Sequence, residues 1–128
     1  MKLLLFLLIS INCYSQSVSI SEGVAFNNVV VAPAATTEYQ GAVKFTSGVS
    51  FNLKVDCALP CAGTIQMLGS NDNINYEVIP QVSQGFSASA TYLYNIYNVK
   101  FLYYKITVSN TGLNDFVLYG YHAEKSQL

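Results

Sequence analysis

Residues 49–56 alternate without a break. Val49, Phe51, Leu53 and Val55 fall on one side, and Ser50, Asn52, Lys54 and Asp56 on the other. A period of two is the mark of a strand with one buried face. The rhythm returns at 91–98, 102–109 and 115–123. In 102–109, Leu102, Tyr104, Ile106 and Val108 share a face, and Tyr103, Lys105, Thr107 and Ser109 share the other. In 116–122, Phe116, Leu118, Gly120 and His122 alternate with Val117, Tyr119 and Tyr121. Both sides of that run carry large residues, so it is covered twice or lies in an interface.

The rest of the chain reads in the same way. Residues 17–21 and 24–32 are extended, with Val29, Val30 and Val31 the strongest β signal. Residues 32–37 read as a loop and 40–46 as a short strand, with a turn at Ser47 and Gly48. Residues 63–69 put Ile65 and Met67 on one face. Residues 70–75 are rich in Asn and Asp, which tolerate left-handed backbone and bond their own main chain. Residues 76–79 predict a short strand stopped by Pro80, and 81–89 a polar loop. After residue 16 no ten-residue stretch has helical periodicity. The expected fold is all-β: one antiparallel β-sandwich, jelly-roll-like, over residues 17–128.

The first 16 residues differ. Lys2 precedes an apolar run over 3–11, interrupted only by Ser10, and a small polar exit follows. This is a secretory signal pattern, too short to cross a bilayer comfortably. Contact with a membrane is expected only through residues 1–16, if they stay attached. Cys13 as a lipid-attachment site fits poorly, because Ser10, Ile11 and Asn12 do not form the small-residue box. Cys57 and Cys61 flank a short loop containing Pro60, and in an oxidising compartment they could form a disulfide. Two buried or loop thiols are the alternative.

Composition narrows the function. Charged residues are 10% of the 128 and hydrophobic residues 52%, with 10 tyrosines. The surface is therefore coated with Ser, Thr, Asn and Tyr, which suits a subunit packed among neighbours. All six basic residues are lysines, they do not cluster, and the net charge is −1. That argues against nucleic-acid binding.

Catalytic candidates are few. His122 is the single histidine, and no Gly-x-Ser-x-Gly elbow accompanies it. The carboxylates Glu22, Glu38, Asp56, Asp72, Glu77, Asp115 and Glu124 sit mostly at turns or strand ends. A glycosidase would need two of them roughly 5 to 9.5 Å apart. Asn71, Asp72, Asn73 and Asn75 resemble a calcium loop, but the position that requires a bidentate Glu is Val82. The expectation is a protein with no enzyme activity, no cofactor and no metal. Tyr103, Tyr119, Tyr121 and His122 are the candidates for an interface or for contact with a ligand such as a glycan, since tyrosine offers flat contact area and a hydroxyl.

Two segments carry a resemblance. One is Gly63-Thr64-Ile65-Gln66-Met67-Leu68-Gly69-Ser70-Asn71-Asp72, followed by Asn75-Tyr76. The other runs from Tyr94-Asn95-Ile96 through Phe101 to Thr107, then a glycine-containing turn and a last strand. Together they cover somewhat less than half the chain and resemble small bacteriophage virion β-sandwich proteins. In that class the turn reads Ser-Asn-Asp-Gly and the tail carries a Tyr-Arg-Tyr strand. Here Asn73 stands in place of the Gly, and Leu102 near the place of the Arg. The resemblance implies a structural or attachment subunit of a phage particle (capsid, spike or fibre-associated). Its partners would be copies of itself or other virion proteins. The signal-like start departs from the class and keeps an exported bacterial binding module as the alternative, secreted, periplasmic or at the cell surface.

Overall fold

The computed structural model describes residues 18–43, 46–97 and 99–127. The signal-like segment lies outside them. Eight strands follow in order: β1 (Val18–Val31), β2 (Thr36–Ala42), β3 (Thr46–Asp56), β4 (Gly63–Ser70), β5 (Glu77–Phe86), β6 (Ala90–Tyr97), β7 (Tyr103–Asn110) and β8 (Phe116–Gln127). They form two four-stranded antiparallel sheets, β1-β8-β3-β6 and β2-β7-β4-β5. Every connection except β4–β5 crosses from one sheet to the other. This is jelly-roll connectivity, eight strands in two interlocked sheets.

The alternating residues build the core as the pattern predicts. Phe51, Leu53 and Val55 of β3 and Phe116 and Leu118 of β8 come from the first sheet. Ile65 and Met67 of β4 and Tyr104, Ile106 and Val108 of β7 meet them from the second. Each full burial contributes about 1.5–3 kcal/mol. Phe51 meets Tyr104 edge-on at 5.4 Å between ring centroids, and Phe86 meets Phe116 at 5.2 Å. Gly41 lies directly opposite Tyr104 in the register, and the phenol ring fills the space a Cβ would need.

Several boundaries differ from expectation. Pro80 does not stop a strand; it lies inside β5, which continues to Phe86. The register steps from Gln66↔Ser83 to Leu68↔Val78, so residues 79–82 bulge opposite Met67 alone. Because β5 is an edge, no neighbour misses the absent N–H of Pro80. The second strand begins at Thr36 and ends at Ala42, rather than covering 40–46. β1 is one long strand with register shifts around Phe26, not two extended pieces. Leu102 precedes β7 and is exposed; Asn110 instead ends the buried face of that strand.

Candidate interaction surface

The outer face of the first sheet is built from the residues that alternate with its core. Val24 on β1 pairs with Tyr121 on β8, Tyr121 with Asn52 on β3, and Asn52 with Leu93 on β6. One row thus crosses all four strands. Three of its members are large and exposed: Val24 at 55%, Tyr121 at 59% and Leu93 at 67%. Tyr119 belongs to the adjacent row. Lys54 Nζ lies 5.7 Å from its ring centroid, and its hydroxyl is 3.2 Å from Asn28 Oδ1. Two shallow hollows of about 250 and 310 Å³ flank Tyr121. An uncharged, partly aromatic strip of this kind is a contact surface in its chemistry.

Tyr119 and Tyr121 therefore come together. Tyr103 does not join them: β7 belongs to the second sheet, and Tyr103 lies half-buried on that sheet's outer side. His122 turns inward instead. It follows Phe116, Leu118 and Gly120 on the inward face of β8, and its side chain is 12% exposed. Period two puts it there, at the edge of the core, where it also lines the floor of the smaller hollow beside Tyr121.

Inside, His122 joins a polar cluster that the sequence did not reveal. Its Nε2 lies 2.8 Å from the Tyr39 hydroxyl on β2. With Tyr39 donating, the imidazole proton sits on Nδ1, which is buried without a partner. Glu124 Oε1 is 4.0 Å from that nitrogen and accepts from the Tyr104 hydroxyl at 2.7 Å. Burial, then the hydrogen bond to Glu124, pushes the Tyr104 phenol far above its ordinary value. Burial, then the Glu124 charge, raises Tyr39 as well. Gly23 stands opposite His122 in the register, where a Cβ would lie 2.9 Å from Nε2. The glycines Gly23 and Gly41 were a usable signal, but only once the strand pairing is known.

The turn at 70–75 serves itself. Asp72 Oδ1 accepts from the backbone N–H of Asn75 at 2.8 Å and of Ile74 at 2.9 Å, and from the Ser70 hydroxyl at 2.9 Å. Asp72 Oδ2 accepts from Asn75 Nδ2 at 2.7 Å. These bonds, led by the backbone N–H of Asn75, hold the carboxyl well below the usual carboxylate range. Asn73 is left-handed, with φ 60°. Asparagine and glycine are the residues that adopt this conformation most readily. Among the described residues no three His, Cys, Asp or Glu side chains gather as a metal site. In the loop after β3, Cys57 and Cys61 are joined by a disulfide, with Cα atoms 6.0 Å apart.

An open cleft of about 820 Å³ lies where the free edges of β5 and β6 meet. Val78, Ile79, Pro80, Tyr97, Val99 and Phe101 line it. Asp72 and Glu77 also reach its rim, but Asp72 is consumed by its own turn.

No protein-family model matches the sequence, and no curated protein matches it. Solved structures share its fold. The exported protein XepA of PBSX superposes with a TM-score of 0.64 at 14% identity, over 81% of this chain and 36% of XepA. The VP2 subviral particle of infectious bursal disease virus gives 0.61 at 7% identity, over 85% of this chain and 32% of VP2. The SPBc2 prophage-derived protein YomS gives 0.55 at 8% identity, over 86% of this chain and 96% of YomS. The chain thus spans about a third of XepA and VP2 and nearly all of YomS. At these identities the likeness is one of fold alone, a β-sandwich shared with YomS and with parts of XepA and VP2.

Proposed function

We propose that this chain is a non-enzymatic structural or attachment subunit of a bacteriophage particle, acting through contacts with copies of itself or other virion proteins. The observation that carries the reading is the Val24–Tyr121–Leu93 row, exposed on the outer face of a jelly-roll sheet. Low charge supports it, since little electrostatic repulsion opposes packing among neighbours. The fold likeness to XepA, YomS and VP2 supports it too. Near His122 the Tyr39 hydroxyl is bonded to the imidazole and the Tyr104 hydroxyl to Glu124, a pairing that fits a structural cluster. Quantitative mass spectrometry of purified particles tests the proposal. The chain should be present at a fixed stoichiometry; its absence from washed particles would end this reading.

A second reading is an exported bacterial module that stacks sugars. Tyr119 and Tyr121, with Asn52 and Lys54 beside the two hollows, favour it. A glycan array should then give hits that Tyr121→Ala abolishes. An empty array removes it.

A further inference from the structure

We infer that the free edge of β6 receives a second copy of this chain, whose own β6 runs antiparallel to it. The first sheets of two molecules would join into one continuous eight-stranded sheet. The inference deepens the assembly reading above and rests on it.

A sheet edge exposes a row of unpaired N–H and C=O groups, and natural edges are blunted against pairing. Three of the four edges here are blunted. β1 has register shifts on both sides of Phe26, with Asn28 left-handed at φ 53°. β5 carries Pro80 within its bulge. β2 has exposed Glu38 at its middle. β6 has none of these devices. Its eight residues, Ala90-Thr91-Tyr92-Leu93-Tyr94-Asn95-Ile96-Tyr97, include no charge, proline or glycine. Its register with β3 runs unbroken from Gly48↔Tyr97 to Val55↔Ala90, which leaves the far edge straight. Among the described residues no loop backbone bonds that edge, and the one side-chain bond from β6, Tyr94 hydroxyl to Gln84 Oε1 on β5 at 2.8 Å, leaves the backbone groups of the edge free.

The composition of the edge selects the partner. β6 offers no charge for a charged strand to match, and a net charge of −1 lets two copies approach. An uncharged, tyrosine-rich strand of equal length fits it, and β6 is such a strand. Outward residues must face outward ones across the new pair. The two-fold axis therefore passes through Leu93 or Tyr94. Leu93 then meets Leu93 of the second copy directly, at about 5 Å, or diagonally, at about 7–8 Å. Both arrangements carry the exposed row of the first sheet across into the second molecule, and both cover part of Leu93 and Tyr97, exposed by 67% and 76%.

Multi-angle light scattering of the full chain across a concentration series tests this, with hydrogen exchange on the same samples. Wild type should dimerise. Leu93→Lys places two lysines together at the axis and should weaken the dimer at least tenfold. Val30→Lys, exposed on the same face at the opposite edge, should leave it unchanged. The β6 amides should exchange at least tenfold faster in Leu93→Lys than in wild type. Near-ultraviolet circular dichroism confirms that both variants fold. A Leu93→Lys dimer as tight as wild type, or unaltered β6 exchange, overturns the inference. So does a wild type that stays monomeric; if such a monomer is still found in particles, the assembly reading survives alone. A β6 dimer absent from particles would do the reverse. β6 protection that appears only with another virion protein would replace the second copy with that protein.

Discussion

Asn110, the last residue of β7, donates from Nδ2 to the carbonyl of Val31, the last residue of β1, at 2.9 Å. The same nitrogen donates to the Asn114 carbonyl at 2.9 Å, and Oδ1 accepts from the Gly112 N–H at 2.9 Å. One buried amide thus ties the two sheets together and shapes the turn that leads into β8. Removing it leaves buried backbone groups unpaired, each costing about 1–3 kcal/mol. Asn110→Ala should therefore lose about 3 kcal/mol in urea unfolding. Asn110→Asp should lose at least as much, since it keeps the acceptor for Gly112 but sets a buried carboxylate oxygen against the Val31 and Asn114 carbonyls.

The Asp72 turn makes an acid-side prediction. Its carboxyl is held well below the unfolded value of about 3.9. The contribution is present above that value and fades as pH falls below it toward the folded pKa. Carboxyl NMR should find Asp72 still ionised at pH 3. The stability gap between wild type and Asp72→Asn should narrow as pH drops below about 4. A normal titration of Asp72 would contradict the hydrogen-bond account.

On the alkaline side the tyrosines decide. Burial pushes the Tyr94 phenol up to about 12, the Tyr92 hydroxyl adding to the effect, and burial sends Tyr104 higher still. Above pH about 10 the unfolded chain loses phenol protons that the folded chain keeps, so stability falls as pH rises. Ultraviolet titration should show Tyr104 ionising only when the protein unfolds. Tyr104→Phe should reduce the steepness of that alkaline loss.

Ala34 adopts φ 62° in the β1–β2 turn, with its N–H bonded to the Asn110 carbonyl at 3.1 Å. A left-handed non-glycine residue costs about 1–2 kcal/mol, and glycine gives part of the relief back as unfolded-chain entropy. Ala34→Gly should raise stability by about 0.5–1 kcal/mol in thermal or urea unfolding. A loss would mean that the turn does not hold this conformation in solution.

The strands legible in the sequence are those with one dry and one wet face. Residues 49–56 and 63–69 show their period plainly because Phe51, Leu53, Ile65 and Met67 are fully buried while Asn52, Lys54 and Thr64 face water. β5 was not legible beyond Ile79, because an edge strand tolerates Pro80 and exposes most of its side chains. Alternation also says nothing about neighbours. The runs that become β6, β7 and β8 look like one meander, yet β7 lies in the opposite sheet from the other two. The surface was half legible for the same reason. Tyr119 and Tyr121 share a strand and stay together, whereas Tyr103 belongs elsewhere. Leu93 and Val24 become part of the surface only through pairing. The approach of Tyr39 to His122 spans 83 positions and leaves no local trace.

The placement of β8 between β1 and β3 governs the order in which this chain can mature. During synthesis the earliest strand must wait for the latest to emerge, and until then β1 has no hydrogen-bonding mate. The hairpin of β4 and β5 can close at once, but the first sheet completes only in a final, long-range step. A ribosome stalled before Phe116 would hold a chain with sticky, half-made sheets, so commitment to the native state waits for Phe116–Gln127 to emerge.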